Sequence, residues 1–342
     1  MRILSYIIFA TITFTFGTNQ IFALDGKISG LIFGDYYWVA ANHNNAIEGE
    51  NGFWFRRIYF TYDQDLSKEM AFRLRFEMNS PGDFRTRTNL QPFVKDAYLK
   101  WSLSNHTLYL GISSTPTWDY IEKFWGFRPV EKTLLDLQKF GTSRDFGIAL
   151  KGTLDQAKHV HYHLMLGNGN GTRAETNEGK KLMASVRVDI TEHLSVEGYF
   201  DWDDRPGDTD RLTIQGFAAY KTEYYRVGFQ IASQNREFGP GIDSKSFQLL
   251  SIFGALQLQE NLWGFARLDH AFDPNPQGES ISYIPFSSQA QSTLLLLGID
   301  YLHQSRVHLM PNVEIVIYGD NNGFSPGTDF IPRLTFYFAW KE

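Results

Sequence analysis

Apolar and polar residues alternate along this chain in repeated short blocks. In the block of residues 71–78, the apolar positions are Phe72, Leu74, Phe76 and Met78, and the positions between them are Arg73, Arg75 and Glu77. A β-strand points successive side chains to opposite faces, so this block predicts a strand with one apolar face and one charged face. We expect the apolar set to face lipid and the charged set to face water inside a barrel.

Sixteen blocks of this kind follow one another from Lys27 to the end of the chain. No stretch of about 20 apolar residues occurs after residue 23, which excludes helical membrane spans. Alternating segments of about ten residues are instead typical of transmembrane strands. The sequence therefore predicts an all-β fold, a transmembrane antiparallel β-barrel of about 16 strands. The approximate block centres are Phe33, Tyr59, Leu74, Tyr98, Leu110, Ile148, Tyr162, Val186, Gly198, Gly216, Phe229, Ile252, Ala266, Leu296, Val313 and Phe336.

The connections between these blocks alternate in length, as the short periplasmic turns and longer extracellular loops of outer-membrane barrels do. A soluble β-sandwich does not require short and long connections to alternate along the whole chain. The short connections are residues 65–69, 104–105, 153–158, 191–192, the region of Thr222, 259–260 and 303–305. The long connections are residues 41–52, 80–91, 114–143, 169–179, 203–209, 236–243, 273–289 and 319–329.

The first 23 residues predict a secretory signal peptide. They combine Arg2, an apolar centre over residues 3–16, and Ala23 as a small residue before the expected cleavage point. A membrane anchor is the alternative, but residues 17–20 interrupt the apolar run well short of the roughly 20 residues that a span needs. Residues 24–342 would then form a single barrel domain in the bacterial outer membrane.

Composition excludes several functional classes. The formal net charge of −6 gives no basic footprint for nucleic acid, so we expect no nucleic-acid partner. The absence of cysteine excludes disulfides, thiolate metal sites and a cysteine nucleophile. Aromatic residues make up 16% of the chain, a share that the interfacial belts of a barrel can accommodate.

A barrel of about sixteen strands is too wide for side chains to fill, so its lumen is expected to be an aqueous channel. The third long loop, residues 114–143, is the candidate for narrowing it. A helix is expected at Trp118–Trp125, entered from Thr117 and stopped at Gly126, with an apolar face of Trp118, Ile121 and Trp125. A second helix is expected over residues 130–140, with Pro129 at its start and Gly141 after its end.

The loop is interpreted as a constriction folded into the lumen, because the apolar faces of its helices need burial and the mouth of the barrel can bury them. The alternative is a surface lid whose charges face solvent. In the first case, loop charges would stand opposite wall charges and create a transverse field that favours small polar or ionic solutes. The candidate solute-contacting residues are Arg57, Arg73, Arg75, Glu77, Asp96 and Lys100 on the wall, and Asp119, Glu122, Lys123 and Arg128 on the loop.

Other candidate sites carry less specific signals. His159, His161 and His163 could share a metal, but polar lining of the lumen explains them better. The glycine-rich residues 167–171 are not followed by a helix, which argues against a phosphate-binding loop for a nucleotide. The acidic residues 201–210 lack EF-hand spacing, although binding of a divalent cation there stays open. No Gly-x-Ser-x-Gly elbow occurs, so we expect no enzymatic activity, no catalytic residue, no metal and no cofactor.

Five short motifs point to one known family: Arg56, Arg57 and Tyr59; Asp96, Ala97 and Tyr98; Leu110 and Gly111; Arg144, Asp145 and Gly147; and Asn168 and Gly169. They give the sequence a resemblance to the phosphate-selective porin-like group of the bacterial outer-membrane porin superfamily. It implies a sixteen-stranded barrel, commonly a homotrimer, that passes small hydrophilic solutes by diffusion. The partners would be outer-membrane lipid, lipopolysaccharide, and small polar solutes or ions. The alternative function is a closed-lumen receptor or adhesin acting through its extracellular loops.

Overall fold

The computed structural model describes residues 26–303, 306–321 and 323–341. The predicted signal peptide, residues 1–23, lies outside these residues. Sixteen strands form the fold: β1 Lys27–Trp38, β2 Asn51–Asp65, β3 Met70–Met78, β4 Phe93–Leu103, β5 His106–Ser114, β6 Arg144–Thr153, β7 Val160–Gly167, β8 Lys181–Asp189, β9 Leu194–Asp203, β10 Arg211–Lys221, β11 Tyr225–Arg236, β12 Lys245–Gln259, β13 Leu262–Ala271, β14 Ser292–His303, β15 Val307–Tyr318 and β16 Asp329–Lys341.

The strands close into one antiparallel barrel. Each strand pairs with its neighbours in sequence, and β1 pairs with β16, so that Ser29 lies opposite Lys341 and Tyr37 opposite Arg333. Closure leaves no unpaired sheet edge. Every predicted block centre falls within a strand, and the predicted sixteen-stranded barrel is confirmed.

Side-chain burial follows the alternation that the sequence predicted. In β9 the outward residues Val196, Phe200 and Trp202 are exposed, whereas the inward residues Glu197 and Asp201 are buried. The inward direction is fixed by contacts with the third long loop, since Glu197 accepts a hydrogen bond from Thr117 at 2.5 Å. The apolar residues therefore form the outer belt, and the charged residues line the interior.

Two β-bulges break the strict alternation and place pairs of adjacent charged residues on the inner face. In β2, Arg57 lies opposite Phe33 and Phe55 lies opposite Gly34, which leaves Arg56 as the extra residue. In β4, Asp96 lies opposite Arg75 and Val94 lies opposite Phe76, which leaves Lys95 extra. A bulge changes the side to which the next residues point. Both Arg56 and Arg57 are consequently buried inside, as is Asp96, and Lys95 lies half-buried beside Glu77.

The third long loop contains the first predicted helix as expected. Helix α1 spans Trp118–Trp125, ends at Gly126 in the left-handed conformation, and buries Trp118, Ile121 and Trp125. These bounds and this buried face are the predicted ones. None of the helices in the described residues is long and apolar enough to cross a membrane.

The second predicted helix, residues 130–140, is wrong in length: helix α2 spans only Leu134–Leu137. Side-chain donors hold the carbonyl groups of the preceding segment. Arg56 donates to the Val130 carbonyl, Trp125 Nε1 donates to the Glu131 carbonyl at 3.1 Å, and Arg267 donates to the Lys132 carbonyl. Residues 128–130 form a turn, Thr133 just before the helix is extended, and Lys139 adopts a positive φ of 57° just after the helix. Tertiary contacts thus override the local helical pattern.

Candidate pore and its constriction

The apolar face of α1 packs on a group of aromatic side chains that we call the aromatic wall: Phe217 on β10, Phe253 on β12 and Phe265 on β13. The Trp125 ring lies 5.2 Å from the Phe253 ring and 6.0 Å from the Phe265 ring, between ring centres, in edge-on geometry. Ile121 is also buried in this cluster. Aromatic pairs at these separations are favourable beyond the area that they bury. The aromatic wall therefore fixes one side of the loop inside the barrel.

The middle of the loop is held by buried ion pairs that we call the Glu131 cluster: Glu131, Arg56, Arg333, Glu314 and Asp35. Glu131 lies 2.5 Å from Arg56 and 3.6 Å from Arg333, measured between nitrogen and oxygen. Arg333 also contacts Glu314 at 2.6 Å. Burial alone would raise the pKa of the Glu131 carboxyl, but nearby cations led by Arg56 outweigh it and lower this pKa.

The charged side of α1 faces the wall formed by β2 to β6, which we call the charged wall. Glu122 lies 3.7 Å from Arg57 on β2 and 3.5 Å from Arg128 on the loop. Asp119 lies 3.4 Å from Arg144 and 3.6 Å from Lys151, both on β6. Partial desolvation opposes ionisation of Asp119, but Arg144 and Lys151 outweigh it and lower the pKa of its carboxyl. Asp119 of α1 therefore carries negative charge opposite the cations of the charged wall.

The predicted site residues divide into those that meet across the lumen and those that do not. Arg57, Glu77, Glu122 and Arg128 form one connected group, since Arg57 also contacts Glu77 at 3.5 Å. Asp119 and Asp96 are joined through Arg144, which lies 2.5 Å from Asp96. Arg75 joins the second group through Asp96, so the structure brings seven of the ten residues into two connected groups.

Arg73 and Arg75, which we expected together with Arg57 opposite the loop charges, form their ion pairs with other wall residues. Arg73 pairs with Asp63 at 2.7 Å, and Arg75 pairs with Asp96 at 2.9 Å, both between wall residues. Cross-strand neighbours on the same face lie closer to these arginines than the loop does, because Asp63 and Asp96 occupy paired positions. Lys100 and Lys123 form no ion pair with any residue that the structure describes.

Sequence reasoning missed several charged residues of the site. Arg56, Lys95, Arg144, Lys151 and Glu131 all contact the loop or its ion pairs. Strict alternation from Arg57 and Asp96 would place Arg56 and Lys95 on the lipid face, where a cation costs roughly 2 to 4 kcal/mol at the bilayer midplane. Two consecutive charged residues inside an apolar block were therefore a readable signal of a bulge. The positions of Glu131 and Arg144 against the wall had no comparable signal, because they depend on how the loop folds.

Two polar cavities lie on either side of these contacts. The cavity at the long-loop end has a volume of about 610 Å³, and the cavity at the short-turn end has about 370 Å³. We call them the extracellular and the periplasmic cavity, after the sides on which outer-membrane barrels carry their long loops and short turns. No described residue lines both. Arg144 lines the extracellular cavity and Asp119 lines the periplasmic one, so their contact lies between the two.

The histidines of β7 line the periplasmic cavity. His161 contacts Asp189 at 2.9 Å, and His163 is buried. Among residues 26–303, 306–321 and 323–341 there is no group of three His, Cys, Asp or Glu residues that could hold a metal ion. Lining of the lumen is thus the role that these positions support.

Comparison with known proteins gives structural neighbours only. No protein-family model matches the sequence, and no curated protein matches it. The fold is similar to the anion-selective porin from Comamonas acidovorans, with 12% identity, a TM-score of 0.69, and coverage of 92% of this chain and 99% of that one. It is similar to the outer membrane channel DcaP of Acinetobacter baumannii, with 12% identity, a TM-score of 0.66, and coverage of 92% and 97%.

A third similar structure is the trimer form of the outer membrane protein OmpT of Vibrio cholerae, with 9% identity, a TM-score of 0.63, and coverage of 92% of this chain and 99% of that one. At these identities the likeness concerns the fold. The chain has the closed sixteen-stranded barrel fold of bacterial outer-membrane porins.

Proposed function

We propose that this protein is a passive outer-membrane channel for small hydrophilic solutes or ions. The observation that carries the proposal is the position of the third long loop, which crosses the interior between the aromatic wall and the charged wall with a polar cavity at each end. A barrel of this size with a polar interior is suited to an aqueous path. The exposed apolar residues outside would contact outer-membrane lipid and lipopolysaccharide.

The constriction would lie where α1 approaches the charged wall. Asp119 and Glu122 supply negative charge there, and Arg57, Arg144 and Lys151 supply positive charge on the opposing side. Opposed charges across a narrow aqueous section create a transverse field that orients polar solutes. Arg73, Arg75 and Lys100 would contribute to the field from the wall without contacting the loop.

The lining charges favour anions. Eight Lys and Arg side chains but only two Asp side chains line the extracellular cavity. Three Lys and Arg side chains and two carboxylates line the periplasmic cavity. A mouth lined by one sign of charge raises the local concentration of the opposite ion. The eight cations of the extracellular cavity are Lys95, Lys132, Lys139, Arg144, Arg173, Lys181, Arg205 and Arg211.

A homotrimer is proposed as the assembled form, since a similar barrel is described as a trimer. The finer resemblance to the phosphate-selective group stays a prediction. It would require phosphate to be preferred over chloride by the channel, and the cation-rich extracellular cavity is compatible with such a preference.

A closed-lumen receptor or adhesin is the second candidate. It is favoured by one observation, the separation of the two cavities at the Asp119 and Arg144 contact. In that case the long loops would bind a partner, and the barrel interior would not conduct.

Single-channel conductance of the purified protein in a planar bilayer tests both candidates. Stable large steps are expected, with a reversal potential under a potassium chloride gradient that shows preference for chloride. The assay requires a folded barrel, which heat-modifiable gel mobility verifies. Absence of conductance steps from such a barrel would reject the channel and support the receptor. A reversal potential of the opposite sign would reject the anion preference alone.

A further inference from the structure

The seventh long loop, residues 273–289, folds into the long-loop end of the barrel. Three of its apolar side chains are buried against inward residues of β14 to β16 and against α2. These side chains are Ile281, Ile284 and Phe286. On the opposite side, Tyr283 packs on Trp54 of β2, with 5.0 Å between the ring centres. Gln277 lines the extracellular cavity, so the seventh long loop occupies part of the mouth and borders the aqueous path.

A histidine of the first long loop lies between the seventh long loop and the barrel wall. Nδ1 of His43 lies 3.0 Å from Oδ1 of Asp329, the first residue of β16, and Nε2 lies 3.4 Å from Oε1 of Glu279 in the seventh long loop. The backbone N–H of His43 also donates to Asp329 at 2.6 Å. Tyr318 of β15 donates to the same carboxylate at 2.6 Å. We call these four residues the His43 cluster.

Each ring nitrogen of His43 therefore faces a carboxylate. A neutral imidazole has one N–H donor and one acceptor nitrogen, whereas an imidazolium has two N–H donors. Only the imidazolium can donate to Asp329 and to Glu279 at the same time. Asp329 is fully buried, whereas the Glu279 side chain is 48% exposed, so a single N–H stabilises more when it points to Asp329. Loss of the ring proton thus breaks the contact with Glu279, because Nε2 then faces a carboxylate as an acceptor.

The surroundings of His43 favour the protonated ring. Burial alone would lower the pKa of His43, but its hydrogen bonds and charge attraction to Asp329, together with the charge of Glu279, outweigh burial and raise this pKa. Tyr318 also contacts Nδ1, at 3.1 Å. Lys139 adds positive charge nearby, since it donates to the Ser280 carbonyl beside Glu279. The contact of His43 with Glu279 is therefore complete below about pH 6.5, the ordinary pKa of histidine, and is lost as the pH rises through the raised pKa.

We propose that the His43 cluster makes the width of the channel mouth depend on pH. In the protonated state, His43 ties the seventh long loop to the start of β16 and keeps the loop in the mouth. In the neutral state, Glu279 is released, the short 3₁₀ helix Gly278–Ser280 moves away from the wall, and the aqueous path widens. The inference rests on the proposed channel function, because it assigns a regulation to the mouth of that channel.

Single-channel conductance recorded between about pH 5 and about pH 9 tests the regulation. Wild-type conductance should rise with pH, with a midpoint above about 6.5. His43→Gln keeps a side chain that can donate a hydrogen bond but does not titrate, so the rise should be lost. Glu279→Gln removes the exposed carboxylate that raises the pKa of His43, so the rise should become smaller and its midpoint should shift to lower pH.

His308→Gln is the matched control. His308 also pairs with a carboxylate, since its Nδ1 lies 2.9 Å from Asp300, but this pair lies near the short-turn end of β14 and β15. The pH-dependent rise should persist in this variant with an unchanged midpoint. A rise that persists in His43→Gln, or that is lost to the same extent in His308→Gln, would overturn the proposal.

The movement of the seventh long loop can be measured without conduction. The sequence contains no cysteine, so Gln277→Cys provides a single site for a nitroxide spin label, two residues before Glu279. The mobility of the label in electron paramagnetic resonance should increase over the pH range of the conductance rise, and the increase should be absent when His43→Gln is added. Mobility that depends on pH and on His43 in a barrel that does not conduct would keep the movement and reject the channel. Conduction with neither a pH-dependent rise nor a mobility change would keep the channel and reject the role of the His43 cluster.

Discussion

The two walls that hold the third long loop use different physical interactions. The aromatic wall contacts Ile121 and Trp125 through apolar surface, which is strong in total but tolerant of small shifts. On the other side, the loop carboxylates of Glu131, Glu122 and Asp119 form ion pairs with arginines of the barrel. Buried charges are costly unless they are paired, so these contacts restrict where the loop can settle. Apolar burial thus draws the loop into the lumen, and ion pairing selects its position there.

The largest loss of stability is expected from Glu131→Ala, which removes the central carboxylate of the Glu131 cluster. Removal of the carboxylate leaves Arg56 without its 2.5 Å partner and Arg333 with only Glu314. Breaking a buried ion pair by removing one partner costs about 3 to 5 kcal/mol. We expect a lower free energy of unfolding in urea and a noisier or larger single-channel conductance.

Asp136→Ala is the control for this variant, because Asp136 lies on the same loop and its contact with Arg128 is 3.6 Å and partly exposed. It should cost about 1 kcal/mol or less. Equal stability of Glu131→Ala and the wild type would show that the Glu131 cluster does not hold the loop.

Ile121→Ala tests the aromatic side. Ile121 is 1% exposed, and truncation of such a side chain costs about 2 to 5 kcal/mol. We expect a lower unfolding free energy and a larger conductance, because α1 loses part of its apolar contact with the aromatic wall. Lys123→Ala, at an exposed position of the same helix, should leave stability within about 0.5 kcal/mol of the wild type. A conductance that does not change in Ile121→Ala would mean that the ion pairs alone hold the loop.

The same difference between walls explains what the sequence could predict. The barrel and its strand positions follow from period-two alternation, and α1 follows from the spacing of Trp118, Ile121 and Trp125 with Gly126 at its end. These features depend on local patterns. The pairing of Asp119 with Arg144 depends on where a folded loop meets a distant strand, and no local pattern encodes that distance.

Bulges are the intermediate case. The strict alternation rule assigned Arg57 to the interior but not Arg56, although the extra residue in β2 turns both inward. The cost of a cation facing lipid makes such a bulge predictable in principle. The short length of α2 was not predictable in this way. It depends on Arg56, Trp125 and Arg267, which come from separate parts of the fold and donate hydrogen bonds to the carbonyl groups just before the helix.

Asp119→Asn gives the smallest change in stability and the sharpest test of the charged wall as an electrostatic element. The Asp119 side chain is 41% exposed, so its ion pairs with Arg144 and Lys151 should contribute less than about 1 kcal/mol. Loss of its charge leaves these two cations facing the aqueous path, and the reversal potential should move further toward anion preference. Glu178→Gln makes the same charge change at an exposed position of another long loop and should shift the potential much less. Equal shifts in both variants would mean that the net charge of the mouth, rather than the contact of α1 with the charged wall, sets ion preference.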